Sequence, residues 1–252
     1  MRYSPLLLVL VLVGCRETPP PDGALIRFPT TQGEGQGRWF VPRKETAAPA
    51  TVILLHGDHG WTDVMDRHAR RLASQGYRVF GMDLYRGEKI DTLLDAHIMD
   101  RGLPEDRVKT DLRGAVDWVL KQKGASPERI AILGWDMGGG YALDAAIADP
   151  RIAAVITCYG RLTTDPALLG KMKASVLAIM AARDEGNPPE TLAAFSNAMK
   201  EAGRSLEGPV LFEVDHGFMN PPGREPTKEE ADAAEKAWSR IEQFLGERLA
   251  SP

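Results

Sequence analysis

Cysteine is scarce in this sequence. The 252 residues include only two, Cys15 and Cys158. Because Cys15 lies in an N-terminal segment that looks separate from the fold, the globular part keeps one thiol and cannot form an internal disulfide. Cys158 stands in the apolar run "IAAVITCYG", which predicts a small buried core residue. No Cys or His residues are paired at the spacing of metal ligands, so we expect no metal site.

An excess of positive charge and internal repeats are also absent. The formal net charge is −4, which gives no basic surface for nucleic acid, and we expect no nucleic-acid partner. No repeat with a period of roughly 20–50 residues is found. What is present is an ordinary globular composition, 43% hydrophobic and 26% charged. The length fits one medium-sized domain with a substantial core.

The N-terminus has the layout of a secretory signal. "MRYSPLLLVLVLVGC" holds one Arg and an apolar run of roughly eight residues, too short to span a membrane, followed by small residues. The "LVGC" at its end resembles the lipobox of bacterial lipoproteins, in which the chain is cut before the Cys and the Cys is lipidated. The alternative is an ordinary signal with an incidental Cys. We predict a signal peptide over 1–14, then a lipidated Cys15 and a Pro-rich tether over 15–23.

This N-terminus also predicts where the protein resides. A lipid anchor would hold the domain at a membrane surface without spanning the bilayer. We therefore expect an extracytoplasmic bacterial lipoprotein, in the periplasm or at the cell surface, that contacts the membrane through its anchor only.

Apolar β-rich runs alternate with helical patterns over residues 24–252. Strands are predicted at 50–57, 77–84, 129–135, 152–160, 174–182 and 209–215, after an antiparallel pair near 25–29 and 37–41. Helices are predicted at 63–75, 105–123, about 137–148, 189–202 and about 228–249. Several strands are apolar almost throughout, as in a sheet covered on both faces. The pattern predicts a single α/β domain with a doubly wound, mostly parallel sheet.

One turn between a strand and a helix carries an unusual central residue. "GWDMG" (134–138) has the form of a nucleophile elbow, in which glycines allow strand and helix to meet closely and the central side chain is lifted above the sheet. That residue is Asp136. Asp tolerates left-handed backbone conformations, and a helix N-terminus favours an anion. Gly-rich turns of this type are common, so the motif alone is only moderately specific.

The order of two further residues supports a catalytic interpretation. In an open α/β sheet the ligand site lies outside the carboxyl ends of the strands. Asp184 and His216 follow the fifth and sixth predicted strands of that series. Elbow residue, then acid, then His is the chain order of α/β-hydrolases. Asp184 would orient the imidazole of His216, and His216 would act on the reacting water. Taken singly, Asp184 could equally be a helix cap and His216 a loop residue.

An oxyanion hole should be formed by backbone N–H groups. One would come from Met137, after the elbow residue, and one from the loop "HGDHG", at Asp58. His56 and His59 belong to the same loop, where shaping the loop is a simpler role for them than catalysis. His68 has no evident partner in the sequence, and neither has His97.

Several stretches together resemble the dienelactone hydrolase family. They are "VILLHGDHGW", "RRLASQGYRVFGMDLYRG", "IAILGWDMGGGYALDAA", "VITCYGRL", "VLAIMAARDEGNPP" and "DHGFMNP", and they span nearly all of residues 50–222. The resemblance implies an α/β-hydrolase fold without a cap domain, acting on a small-molecule ester or lactone with no cofactor. It places the triad at Asp136, Asp184 and His216. It also implies that Tyr85 and Arg86 contribute to the substrate pocket, with Arg86 able to pair with a substrate carboxylate.

The sequence departs from that family at the nucleophile, which is Cys in the family and Asp136 here. A carboxylate is a poorer acyl acceptor than a thiolate, and attack on an ester would have to expel an alkoxide. Asp is ionised at neutral pH and needs no base to activate it, a property that suits displacement at an sp³ carbon.

Three functions therefore stay open. The first is an ester or lactone hydrolase in which Asp136 is a general base or an inefficient nucleophile. The second is an Asp-nucleophile hydrolase of carbon–halogen or epoxide bonds, with Trp61 as a possible halide donor in the substrate pocket. The third is a non-catalytic binding protein on a hydrolase fold. The sequence does not indicate an oligomeric state.

Overall fold

The computed structural model describes residues 22–44, 49–88, 102–221 and 223–250. The predicted signal peptide, Cys15 and most of the tether lie outside the described residues, as does His97. Within the part that is described, no helix has the length and apolar character needed to cross a membrane.

Eight strands form one sheet. They are β1 (Ala24–Thr30), β2 (Gly33–Phe40), β3 (Thr51–Leu55), β4 (Arg78–Asp83), β5 (Ile130–Trp135), β6 (Ala154–Cys158), β7 (Ser175–Ala181) and β8 (Leu206–Phe212). Their order across the sheet is β1-β2-β4-β3-β5-β6-β7-β8. β1, β2 and β4 pair antiparallel, and all pairs from β4 to β8 are parallel. The mostly parallel α/β sheet predicted from the sequence is confirmed.

Helices cover both faces of this sheet. They are α1 (Asp63–Ser74), α2 (Glu105–Leu120), α3 (Met137–Ala148), the single turn α4 (Pro166–Leu169), α5 (Pro189–Glu201) and α6 (Lys228–Arg248). Side chains of α2, α3, α4 and α5 join one buried apolar cluster, and those of α1 and α6 join a second one. Because the central strands are covered on both faces, β3, β5 and β6 are buried along their whole length.

The last strand of the sheet differs from its predicted position. The last strand lies at Leu206–Phe212 rather than 209–215. It is the edge strand next to β7, where a register irregularity falls between Leu177 and Ile179, and an edge position tolerates the Pro209 within it.

The connection from β6 to β7, residues 159–174, contains only α4, which leaves no room there for a cap domain.

Candidate active site

The turn from β5 into α3 holds Asp136 in a backbone conformation that few residues adopt. Its φ is 52° and its ψ is −122°. The Asp136 amide donates to the carbonyl of Cys158 at 2.9 Å, which fixes the turn to the end of β6. A Cβ on Gly134 would lie 2.1 Å from the Gly138 oxygen, and one on Gly138 would lie 2.3 Å from the His56 oxygen. Both glycines are therefore required for strand and helix to meet so closely, as the motif predicted.

The structure brings the three predicted triad side chains together. His216 Nε2 lies 3.1 Å from Asp136 Oδ1, and His216 Nδ1 lies 2.9 Å from Asp184 Oδ2. Asp184 follows β7 and is held in turn by the Gly186 amide at 2.9 Å and by the Asn187 side-chain amide at 3.1 Å. The Asp184 side chain is only 4% exposed, whereas that of Asp136 is 33% exposed. A braced acid, an imidazole and an accessible carboxylate thus form one continuous chain.

This chain of contacts sets the charge of each group. Burial acts to lower the pKa of His216, but the hydrogen bonds and charges of Asp136 and Asp184 outweigh it and raise that pKa to about 10. Burial acts to raise the pKa of each carboxyl group, yet contact with His216 leaves the pKa of both Asp136 and Asp184 below its usual range. At neutral pH the site therefore holds an imidazolium between two carboxylates.

Both amides predicted to form the oxyanion hole face the elbow carboxylate. The backbone N–H groups of Met137 and Asp58 hydrogen-bond to the Asp136 side chain and help to lower its pKa. A Cβ on Gly57 would lie 3.4 Å from Asp136 Oδ2, so this oxygen faces the loop after β3 while Oδ1 faces His216. One carboxylate thus bridges the imidazolium and the two amide donors.

A cavity of about 260 Å³ opens onto Asp136. It is lined by Glu105, Asp136, Met137, Gly140, Tyr141 and Arg161. Arg161 follows β6 and its side chain is 63% exposed, with Nη2 donating to Asp144 Oδ2 at 2.6 Å. Glu105 is the first residue of α2 and Tyr141 is the fifth residue of α3. The sequence gives no signal that these two residues line the pocket, because nothing in the chain order indicates that the two helices begin side by side.

Tyr85 and Arg86 do not line this cavity, contrary to the expectation drawn from the family resemblance. Tyr85 is fully buried, and its hydroxyl donates to the Asp58 carbonyl at 2.9 Å. Arg86 binds both carboxylate oxygens of Asp111, at 2.8 and 2.6 Å, and the Gln32 carbonyl at 3.0 Å. Tyr85 thus supports the loop after β3 from its buried side, and Arg86 forms an internal ion pair.

Trp61 is likewise engaged elsewhere. Its indole N–H donates to Asp66 Oδ1 at 2.7 Å, and its ring stacks on Phe40 with 6.3 Å between centroids. It lines a separate cleft, together with His59 and Asp83, on the β2–β4 side of the loop. Because its N–H is bound to Asp66 and it does not line the cavity at Asp136, Trp61 is not placed to act as a halide donor.

Two other histidines have structural partners. His56 is buried; it contacts the Gly57 carbonyl at 2.7 Å and accepts from the Leu84 amide at 2.9 Å. This agrees with the interpretation that His56 shapes the loop. His68 does have a partner, since its Nε2 lies 2.6 Å from Asn220 Oδ1. Asn220 is remote in the sequence, so only the folded chain could reveal this contact.

His68 contacts both the residue before Asp136 and the loop after His216. Its ring packs against both Trp135, which precedes Asp136, and Trp238, with 4.9 Å between centroids in each case. Burial is the main cause that lowers the pKa of His68 to about 4. Among the described residues no group of three or more His, Cys, Asp or Glu side chains could hold a metal ion.

A parallel sheet, a strained turn that presents a side chain at its carboxyl edge, and a carboxylate-braced imidazole define the α/β-hydrolase class. A model of the dienelactone hydrolase family matches residues 36–249. The chain belongs to the dienelactone hydrolase family.

Relatives and solved structures agree with this placement. A protein of Salmonella typhi named "Putative carboxymethylenebutenolidase" is 26% identical over 247 residues, which cover 90% of this chain and 89% of that protein. A protein of the same name from Escherichia coli K12 is 25% identical, covering 88% and 87% of the two chains. Family and relatives together support a hydrolase.

Two solved structures share the fold. A protein called m3DLH superposes with a TM-score of 0.79 at 22% identity, covering 89% of this chain and 97% of its own. A dienelactone hydrolase-like promiscuous phosphotriesterase from metagenomic libraries gives a TM-score of 0.77 at 18% identity, covering 89% and 98%.

Proposed function

We propose that the protein hydrolyses activated esters or lactones with Asp136 as nucleophile, His216 as proton carrier and Asp184 as the group that orients His216. The observation that carries this proposal is the 3.1 Å contact between Asp136 Oδ1 and His216 Nε2, with Nδ1 of the same ring bound to Asp184. An anionic nucleophile beside an imidazolium that can protonate the leaving group is a charge state from which acyl transfer can begin.

The first half-reaction uses that charge state. An Asp136 oxygen attacks the acyl carbon, and the Met137 and Asp58 amides, released by the attacking carboxylate, bind the new oxyanion. When the C–O bond to the leaving group breaks, His216 gives its Nε2 proton to the departing oxygen. The products are an alcohol, a mixed anhydride on Asp136 and a neutral His216. Because a carboxylate is a modest nucleophile, esters with good leaving groups should be preferred.

The second half-reaction restores the resting site. With Asp136 acylated, one of the two charges that hold the proton on His216 is gone, so the neutral imidazole can accept a proton from water. Attack of this water on the anhydride releases the acid and regenerates the Asp136 carboxylate. His216 then lies again between two anions and keeps the proton.

An assay of activated esters and lactones tests the proposal. Wild type should turn over phenyl or enol esters, and Asp136→Asn and His216→Ala should each reduce kcat/KM by on the order of 10³-fold. Asp232 is exposed and does not line the cavity at Asp136, so Asp232→Asn is a matched control that should keep wild-type activity. Hydroxylamine present during turnover should cleave the mixed anhydride, and mass spectrometry should find Asp136 converted in part to its hydroxamate. Turnover that survives in His216→Ala would contradict the proposal.

A second candidate is attack by Asp136 on an sp³ carbon of an epoxide or alkyl halide. The observation that favours it is that the Met137 and Asp58 amides already bind the Asp136 carboxylate. They would stabilise the oxyanion formed when water attacks the carboxyl carbon of an Asp136 alkyl ester. In H₂¹⁸O, a single turnover by excess enzyme then labels Asp136 rather than the product. Label found first in a carboxylic acid product supports the ester proposal instead.

We also propose that Cys15 carries a lipid that anchors the domain to a membrane. The support is the sequence alone, a short apolar run followed by "LVGC" and a Pro-rich tether. Radiolabelled palmitate fed to producing bacteria should enter the wild type and Cys158→Ala but not Cys15→Ser. The Cys15→Ser protein should also leave the membrane fraction. Labelling that persists in Cys15→Ser would show that Cys15 does not carry the lipid.

A further inference from the structure

We propose that the groove between α2 and α3 receives an apolar arm of the substrate, so that the preferred esters carry a hydrocarbon chain. This inference rests on the proposed function, because it extends the cavity at Asp136. It adds a second subsite and names the chemical class that would fill it.

The groove is a distinct cavity of about 400 Å³, within the size range of small-molecule sites. Its floor is apolar and comes from both helices and the turn after α3. Leu112 and Val116 contribute from α2, Ala145 from α3, and Ile152 from the segment that leads to β6. All four side chains are less than 9% exposed. A floor of this kind offers a hydrocarbon chain an apolar surface but few hydrogen bonds.

The groove continues from the catalytic cavity. Tyr141 lines both cavities. Two ion pairs also join the residues of one cavity to those of the other. Glu105 of the catalytic cavity pairs with Lys109 of the groove at 3.3 Å, and Arg161 pairs with Asp144 at 2.6 Å. A substrate whose acyl carbon is at Asp136 therefore has the groove as the next recess along α3.

The side chains that separate the two cavities can be displaced at a small cost in free energy. The side chains of Glu105, Lys109 and Arg161 are 69%, 52% and 63% exposed. Exposed ion pairs of this kind contribute little to stability. Displacing their side chains to admit a hydrocarbon chain would thus cost little compared with the stabilisation from burying that chain on the groove floor.

A homologous series of 4-nitrophenyl esters, from acetate to decanoate, tests the inference. We expect kcat/KM to rise by up to about fourfold per added methylene, equivalent to ~0.8 kcal/mol, until the groove is filled. Ala148 is exposed at the far end of the groove, so Ala148→Phe should shorten it and lower the ratio of decanoate to acetate kcat/KM at least tenfold. Ala167→Phe, on the exposed side of α4, is the matched control and should keep the wild-type ratio.

Direct binding separates the failure of this inference from that of the proposed function. Calorimetry with sodium decanoate should show binding to wild type and Ala167→Phe, and weaker binding to Ala148→Phe. If no ester is turned over but decanoate binds in this pattern, the groove stands and the proposed function does not. Turnover with no dependence on chain length, or equal behaviour of the two Phe variants, overturns the groove. Thermal unfolding checks that both variants fold, and Ala148→Leu serves if Ala148→Phe does not.

Discussion

Two arginines at the carboxyl edge of the sheet have opposite surroundings. Arg86, after β4, is 21% exposed and binds both oxygens of Asp111, whose side chain is only 1% exposed. Arg161, after β6, is 63% exposed, and makes a single contact of 2.6 Å with the partly exposed Asp144. Only Arg161 lines the cavity that contains Asp136.

The difference extends to the two sides of the site. On the β4 side, Tyr85 and Trp61 also donate to internal partners, Asp58 and Asp66. The residues on this side therefore support the structure around the site. On the side of β5, β6 and β8, Asp136, Arg161 and His216 keep part of their surface accessible. A position at the carboxyl edge is therefore not sufficient for a role in binding, because a buried internal partner decides whether a polar side chain is available. Substitutions should reduce stability on the first side and activity on the second.

The largest effect is expected from Asp184→Asn on the accessible side. The variant keeps the size of the side chain but removes the charge that orients and holds the His216 imidazolium. We expect kcat/KM on an activated ester to fall on the order of 10³- to 10⁴-fold, with a smaller loss of stability than in Arg86→Ala because Asp136 still pairs with His216. Asp232→Asn again provides the control. Turnover within tenfold of wild type would mean that Asp184 has a structural role, and it would contradict the distinction between the two sides of the site.

The next largest effect is expected from Arg86→Ala on the supporting side. Removing the guanidinium leaves the carboxylate of Asp111 buried without its cation, which typically costs about 3–5 kcal/mol. Urea unfolding should show this loss as a lower midpoint with an unchanged slope. The double variant Arg86→Leu with Asp111→Leu should recover most of it, since no buried charge then remains. A loss below about 1 kcal/mol for Arg86→Ala would show that the pair is not structural.

The two histidines near the elbow should give opposite pH dependences. The folded pKa of His216, about 10, lies above its unfolded value of about 6.5. Its stabilising contribution is therefore complete below pH ~6.5 and is lost as the pH rises toward 10. The folded pKa of His68, about 4, lies below that value, so its contribution is present above pH ~6.5 and is lost as the pH falls toward 4.

Measuring the free energy of unfolding against pH checks both signs. Subtracting the His216→Gln curve from wild type should leave a slope between pH ~6.5 and 10, and subtracting the His68→Gln curve should leave a slope of opposite sign between pH ~4 and 6.5. His216 is 43% exposed, and solvent screening should make its slope smaller than the pKa shift alone implies. Ring-proton shifts from NMR give the two pKa values directly. A His216 ring that loses its proton below pH 7 would contradict the assigned charge state.

The sheet and the triad could be anticipated for a topological reason. Parallel strands end at one edge, so a polar residue just after each apolar run is brought to that edge whatever the details of packing. The order of Asp136, Asp184 and His216 along the chain was therefore enough to place them together. The conformation of Asp136 was also predictable. Gly134 and Gly138 indicate a turn in which strand and helix meet too closely for a side chain at either of those two positions.

The surroundings of the triad could not be anticipated in the same way. The partner of Arg86 is Asp111 on α2, and that of His68 is Asn220, and neither is adjacent in sequence or set by a motif. Glu105 reaches the cavity because of how α2 packs beside α3. Such contacts depend on packing between elements, and a single sequence records no signal for them.

The smallest effect is expected from Arg161→Ala, and it sharpens the comparison with Arg86. Because both Arg161 and its partner contact solvent, the ion pair with Asp144 should contribute only about 0–1 kcal/mol to stability. A double-mutant cycle of Arg161→Ala and Asp144→Ala in urea measures that coupling free energy without the other contacts of either side chain. The same cycle on Arg86 and Asp111 should give a coupling several times larger. Equal couplings in the two cycles would mean that burial of the carboxylate does not distinguish the two sides of the site.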